Sequence, residues 1–127
     1  MLASQLEVYR TVQKTTQSGR ELEALSLTKG ALMLQNVQND WDASDRQARL
    51  DEALRYNQRI WSIFQSELAS PDNPLPKKIR EDILSLSLFI DKRILEVMAQ
   101  PVPEKLAVII NININIAAGL RSSPAAI

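Results

Sequence analysis

The chain has 127 residues, 45% of them hydrophobic and only 5% aromatic, and its 15 basic residues balance its 15 acidic ones. This length and composition are typical of one globular domain with a largely aliphatic core, and zero net charge provides no long-range attraction to nucleic acid or anionic membranes. Because the chain contains neither cysteine nor histidine, disulfides, thiolate metal sites, cysteine nucleophiles and histidine acid–base chemistry are excluded, whereas carboxylate, Ser–Lys or Tyr chemistry is not. We therefore predict a non-enzymatic protein that needs no cofactor or metal.

The N-terminal residues have no basic segment followed by an apolar run, so they do not resemble a signal peptide. No segment approaches the ~20 apolar residues that a membrane-spanning helix requires. We expect a cytoplasmic protein without membrane insertion. Leu2, Leu6, Tyr9 and Val12 share one face of a predicted first helix, which we expect to end at Gly19 and to dock loosely over residues 1–18.

A second helix is predicted over residues 20–39, with Leu22, Leu25 and Leu32 on overlapping faces. Gly30 lies inside this segment, where it costs a helix about 1 kcal/mol relative to alanine. Close approach of a neighbouring helix explains such a glycine better than a functional kink, although both remain open.

The segment 39–45 is polar and is predicted to be a loop. Asp40, Asp42, Ser44 and Asp51 have a spacing similar to that of calcium ligands, but Asp45 occupies the position that a calcium loop gives to glycine. Ser44 or Asp45 can instead cap the next helix at its positive end. We favour the cap over a calcium site.

The third predicted helix, residues 45–70, has a bundle-type seam of large side chains at alternating four- and three-residue steps. Asn57 is the one polar member of this seam, and a buried amide needs hydrogen-bond partners. We predict that Asn57 fixes the helix register, with direct partner contact as the alternative. Trp61 fits either the core or a binding anchor. The seam consists of Leu50, Leu54, Asn57, Trp61, Phe64 and Leu68.

Three prolines interrupt the helical pattern at Pro71, Pro74 and Pro76, and proline cannot occupy a helix interior. We predict a stiff turn, with Pro76 in the first turn of a fourth helix over residues 77–100. This helix carries a wide apolar face that includes Leu86, so it is either the central helix or one that meets a partner. The third and fourth helices would form a hairpin at the centre of the fold.

Residues 108–116 alternate isoleucine and asparagine, a pattern typical of a strand. A lone strand in a helical chain would have no ladder to join, so we favour a helix that closes at Gly119 as its C-cap. Its isoleucines would occupy more than one face and would need two neighbours, one of them from another molecule. We expect residues 121–127 to form a flexible tail.

These elements predict one all-α domain over residues 1–127, a compact bundle of about five helices. The three isolated glycines cannot form a phosphate-binding loop. Basic residues are interleaved with acidic ones in both clusters, and no exposed aromatic pattern for base stacking is present. Direct nucleic-acid binding is therefore not expected. The two basic clusters are Arg46, Arg49, Arg55 and Arg59, and Lys77, Lys78 and Arg80.

Four segments follow one another along the chain: Asn57 with Trp61, Leu75-Pro76, residues 86–89, and residues 112–120 up to Gly119-Leu120. In this order they resemble the FlaF family of flagellar biosynthesis regulators. Residues 20–25 are also similar to the second helix of that family. In place of the charged residues that this family usually has near positions 111 and 114, the chain has Asn111 and Ile114.

This resemblance implies a cytosolic helical protein that supports flagellin synthesis and export. One possibility is a secretion chaperone that binds flagellin. The alternative is a regulator of flagellin translation that acts with FlbT or on the flagellin messenger. Since a chaperone covers amphipathic helices of its client, we expect apolar partner-binding residues. We also expect structural roles for Asn57, Leu75, Pro76, Leu86 and Gly119, and a homo-oligomer is compatible with the pattern. The partner-binding candidates are Trp61, Phe89, Ile110, Ile112, Asn113, Ile114, Ile116 and Leu120.

Overall fold

In a computed structural model, the chain forms an all-α bundle. The structure describes the backbone of residues 2–122 and the side chains of residues 19–122. The expected loose docking of residues 1–18 and the tail beyond Ser122 therefore lie outside the described side chains. The described chain has four α-helices and one short 3-10 turn. They are α1 (Leu2–Asn39), α2 (Arg46–Ala69), α3 (Lys77–Ala99), the 3-10 turn (Pro103–Lys105) and α4 (Leu106–Ser122).

The all-α prediction is confirmed, but the number of helices is four, not about five. The predicted first and second helices are one continuous helix, α1, which runs through Gly19. Gly19 does not adopt a positive φ angle, so it does not act as a left-handed C-cap. A single glycine costs a helix only about 1 kcal/mol, which the flanking residues of a long helix offset.

The hairpin of α2 and α3 around the proline-rich turn is as predicted. Pro76 occupies the N-cap position of α3, one residue before the predicted first turn, and its carbonyl accepts a hydrogen bond from Arg80 N. Asp45 is at the N-cap position of α2, but its side chain makes no capping hydrogen bond. Its carboxylate is instead paired with Arg49, which also binds Asp40.

The alternating segment is helical, as predicted, and belongs to α4. The helix continues past Gly119 to Ser122, so Gly119 is not the C-cap that its position suggested. Gly119 has no positive φ angle, and no atom of a neighbour lies within 4 Å of where its Cβ would be. Arg121 pairs with Glu21 of α1, which places the last turn of α4 beside α1.

The centre of the bundle is α1, not the hairpin. α1 packs extensively on α4 and also on α2, whereas α3 packs mainly on α2 and only slightly on α4. As a result α3 leaves Leu88 and Leu95 largely exposed. The core is mostly aliphatic, with Trp61 as its largest member. Its fully buried members include Ala24, Leu27, Leu34, Leu50, Leu54, Ile90, Ile94, Leu106 and Ile109.

No helix within the described residues combines the length and the apolar character that crossing a membrane would require.

Candidate functional site

Two buried asparagines join three helices at the middle of the core. Asn57 of α2 and Asn113 of α4 are both fully buried. Asn113 Nδ2 donates to Asn57 Oδ1 at 2.6 Å and to the Leu27 carbonyl of α1 at 3.2 Å. Asn57 Nδ2 donates to the carbonyls of Ala53 at 2.8 Å and of Gly30 at 3.2 Å. Burial of these amides is therefore compensated by hydrogen bonds, as the prediction for Asn57 required.

Gly30 allows α1 to approach this asparagine pair. A Cβ atom at this position would lie 2.5 Å from Asn57 Oδ1 and 3.0 Å from Asn113 Nδ2. Only glycine leaves room for both amides at the surface of α1. Close approach of neighbouring helices, rather than a kink, thus accounts for this glycine.

Trp61 completes the network. Its Nε1–H donates to Asn113 Oδ1 at 2.9 Å, and the whole side chain is inaccessible to solvent. Phe64 packs edge-on against the indole ring at a centroid distance of 5.7 Å. Trp61, Asn113 and the buried Ile110 are therefore core residues. Their burial does not favour the predicted contact of Asn113 and Ile110 with a partner, whereas Trp61 also contributes to the lining of a cleft at the end of the bundle.

An apolar cleft of about 490 Å³ opens at the end of the bundle, close to the proline-rich turn. We call it the end cleft. All four helices and the turn contribute to its walls, and Trp61 lies beneath its floor. Two of the predicted partner-binding residues, Ile116 and Leu120, reach it from α4. Its apolar lining consists of Trp61, Phe64, Leu68, Pro74, Leu75, Ile83, Ile116 and Leu120.

One side of the end cleft is acidic. Glu23, Glu67 and Asp72 line it together with a single basic residue, Arg20. The pKa of Glu23 is raised above its usual range, first by partial burial and then by charge repulsion from Glu67 and a hydrogen bond with it, while Arg20 acts in the opposite direction. Among the described residues, the end cleft thus combines an apolar interior with three carboxylates and one guanidinium group.

Leu75 is held in the wall of the end cleft by the turn itself. Asn73 Oδ1 accepts a hydrogen bond from Leu75 N at 3.0 Å, and Asn73 Nδ2 donates to the Glu67 carbonyl at the end of α2, also at 3.0 Å. Ser70 accepts further hydrogen bonds from Asp72 N and Asn73 N. The turn thus holds Leu75 in the lining of the cleft.

The remaining predicted residues do not belong to the end cleft. Phe89 lies on the outer face of α3, where Arg93 stacks on its ring at 5.5 Å, so Phe89 and Trp61 do not form a common surface. Ile112 packs against the core, and Ile114 is exposed on α4 together with Asn111. Leu86 is half-buried. The structure therefore separates the predicted partner-binding set into core, cleft and outer-surface residues.

A second, shallow depression lies between α2 and α3 and is lined mainly by polar residues, including Arg55, Arg59 and Asp91. Most of the basic residues considered for RNA contact are engaged within the protein. Arg55 pairs with Asp51. Arg46 stacks on Trp41, Arg49 binds Asp40 and Asp45, Lys77 binds Glu81, and Lys78 binds Asp82.

Sequence reasoning missed Glu23, Glu67 and Phe64 as parts of a site. Glu23 and Glu67 come from α1 and α2 and meet only through the packing of those helices, so no local pattern could identify the pair. Phe64 was recognised only as a member of the helical seam. The prolines of the turn were the one local signal that pointed to this end of the bundle.

Comparison with protein families matches residues 5–120 to the model described as flagellar protein FlaF. The match covers all of α2 and α3, nearly all of α1 and α4, and the whole lining of the end cleft. Comparisons with curated proteins and with solved structures gave no match.

Proposed function

The chain belongs to the FlaF family of flagellar proteins, and on that premise we propose that it is a cytoplasmic adaptor that binds flagellin before export, with the end cleft as the docking site. An unassembled flagellar subunit carries amphipathic helices whose apolar faces need cover until assembly. A chaperone for such a client performs no bond chemistry and needs an accessible apolar surface.

The observation that supports this proposal is the end cleft itself. Its lining comes from four helices and a turn that is fixed by hydrogen bonds, so the surface is formed before a partner arrives. A volume of about 490 Å³ suits a few large side chains from one face of a helix rather than a whole helix. Preformed sites of this kind bind with a smaller loss of conformational entropy.

The test is to mix the purified protein with flagellin and to measure the mass of the complex by size-exclusion chromatography with light scattering, followed by affinity measurements. Leu75→Ser removes an apolar side chain from the wall of the end cleft. We expect it to weaken flagellin binding about tenfold, as loss of a central apolar contact commonly does. Light scattering also gives the oligomeric state.

The matched control is Leu88→Ser, the same substitution on the outer face of α3, where Leu88 is 65% exposed. It should bind flagellin as the unmodified protein does. Both variants should retain the thermal transition of the parent, which separates loss of a contact from loss of the fold. Equal affinity of Leu75→Ser and the parent for flagellin, with the fold intact, would contradict docking in the end cleft.

Regulation of flagellin translation, through FlbT or by contact with the messenger, is the alternative function. Direct RNA contact would depend on Lys and Arg neutralising phosphates, and its affinity would fall steeply with salt. The internal pairing of Arg49, Arg55, Lys77 and Lys78 does not favour it. If flagellin forms no complex with the protein, binding to FlbT and to the flagellin messenger across a salt series is the next measurement.

A further inference from the structure

The carboxylate pair of the end cleft has a function that its apolar lining does not explain. Two glutamates from different helices, Glu23 and Glu67, lie together at the edge of an apolar site. Repulsion between like charges in a partly desolvated place destabilises the folded protein. A positively charged side chain from a bound partner would relieve this repulsion.

We propose that the end cleft selects an amphipathic helix in which a lysine or arginine flanks the apolar face, and that this basic side chain binds between Glu23 and Glu67. The inference rests on the proposed function, because flagellin is the partner in which this segment would be found. The apolar side chains of the helix fill the cleft, and the basic side chain fixes its register and direction.

Charge complementarity supports this occupant. Among the described residues that line the end cleft, three are acidic and one is basic, and Arg20 is the basic one. Neither α3 nor α4 contributes a charged residue to the lining, because Ile83 comes from α3 and Ile116 and Leu120 come from α4. A helix without a basic side chain at this position would desolvate the carboxylates further without neutralising their charge, which is unfavourable.

The pair also makes binding dependent on pH. Glu23 must be ionised to bind a cation with full strength. Because its pKa is raised, lowering the pH from neutral protonates Glu23 before ordinary surface carboxylates. Affinity for the basic segment should therefore fall as the pH decreases through the raised pKa of Glu23, and recover when the pH is raised again.

The test uses the full chain with the double substitution Glu23→Gln and Glu67→Gln and measures flagellin affinity by calorimetry at pH 7.5 and pH 5.5. Glutamine keeps the shape of each side chain and removes its charge. We expect the double variant to bind flagellin about five- to tenfold more weakly than the parent at pH 7.5. The difference between the two proteins should be smaller at pH 5.5 and at high salt.

The control is Glu52→Gln, which removes an exposed carboxylate of α2 that does not line the end cleft, and it should bind flagellin as the parent does. Thermal unfolding should show the double variant to be at least as stable as the parent. If the parent binds flagellin and the double variant binds equally well at pH 7.5, the role of the pair is wrong while the docking site stands. Absence of any complex with the parent would overturn both.

Discussion

At the scale of single residues, Asn57 and Asn113 give the core a fixed register. Each asparagine amide has two N–H donors, and all four donate to protein acceptors here. Asn113 Oδ1 accepts from Trp61 and Asn57 Oδ1 accepts from Asn113. A shift of any one helix along its neighbours would leave buried polar groups unpaired, so the network specifies one arrangement of α1, α2 and α4.

Gly30→Ala should destabilise the protein although alanine is the better helix former. The added Cβ would lie 2.5 Å from Asn57 Oδ1, so a buried and hydrogen-bonded amide has to move. Overpacking of this kind costs about 1–3 kcal/mol, which exceeds the ~1 kcal/mol that helix propensity contributes. Chemical denaturation should show a net loss of up to about 2 kcal/mol in the free energy of unfolding.

Gly119→Ala is the matched control within α4, since no neighbouring atom lies within 4 Å of its Cβ position. It should stabilise the protein by up to about 1 kcal/mol. A stabilising effect of both substitutions would mean that α1 does not approach Asn57 and Asn113 as closely as the structure shows.

Part of this network could be predicted from the sequence. Asn57 interrupts an apolar seam, which indicated a buried amide with a structural role. Its partner Asn113 gave no such signal, because it lies among alternating asparagines, of which Asn111 and Asn115 are exposed. Which asparagine faces the core depends on the rotation of α4 about its axis, and only packing against α1 sets that rotation.

At the scale of secondary-structure elements, the turn between α2 and α3 is stabilised by side chains as well as by its prolines. Ser70 and Asn73 satisfy backbone groups at the end of α2 and within the turn. Arg80 adds a hydrogen bond to the Ser70 carbonyl from the first turn of α3. Polar side chains of this type commonly replace missing backbone partners in turns.

Asn73→Ala should loosen the turn without unfolding the bundle. It removes the hydrogen bonds to Leu75 N and to the Glu67 carbonyl, at a cost of about 1 kcal/mol in stability. Leu75 then loses its fixed position in the end cleft, so flagellin affinity should decrease in parallel. Hydrogen exchange should show faster exchange in the turn and the first turn of α3, with the core of α1 unchanged.

The control for the turn is Asn36→Ala, the same substitution on the exposed surface of α1. It leaves the turn unaltered, so stability and hydrogen exchange in the turn should be unaffected. Unchanged exchange in the Asn73→Ala variant would mean that the prolines alone hold the turn.

Element boundaries were predicted well where proline determined them and poorly where glycine was the only signal. Proline forbids a helix interior, which fixed the hairpin of α2 and α3. Gly19 and Gly119 only weaken a helix, and both helices continue through them. The alternation in residues 108–116 is locally typical of a strand. A helix was predicted because an otherwise helical chain offers no second strand to pair with, and that prediction is confirmed.

At the scale of the whole molecule, the most extensive packing joins the two helices that are farthest apart in the sequence. α1 and α4 pack more extensively than any other pair, and small residues such as Ala24, Ala31 and Ala117 are fully or almost fully buried. The sequence contains no local signal that α1 and α4, unlike the hairpin of α2 and α3, become neighbours. For the same reason the end cleft, to which all four helices contribute, could not be predicted as a site.

A chain that ends after Pro103 should therefore fail to fold cooperatively. It lacks α4 and with it the buried Leu106 and Ile109, so one face of α1 is uncovered. It also lacks Asn113, the hydrogen-bond acceptor of Trp61 Nε1. Thermal unfolding followed by circular dichroism should show a broad, non-cooperative loss of helix. Burial of each large aliphatic side chain contributes about 1.5–3 kcal/mol, so the loss of several of them removes more free energy than the stability of a small domain provides.

A chain that ends after Ser122 is the matched control, because it keeps α4 and every contact described above, and it should unfold in one sharp transition. A sharp transition in the shorter chain would show that α1, α2 and α3 form a stable unit without α4, contrary to the packing seen here. If the shorter chain instead unfolds as expected, its failure to bind flagellin would report only the loss of the fold. Point substitutions in the end cleft, such as Leu75→Ser, are for this reason the decisive test of docking.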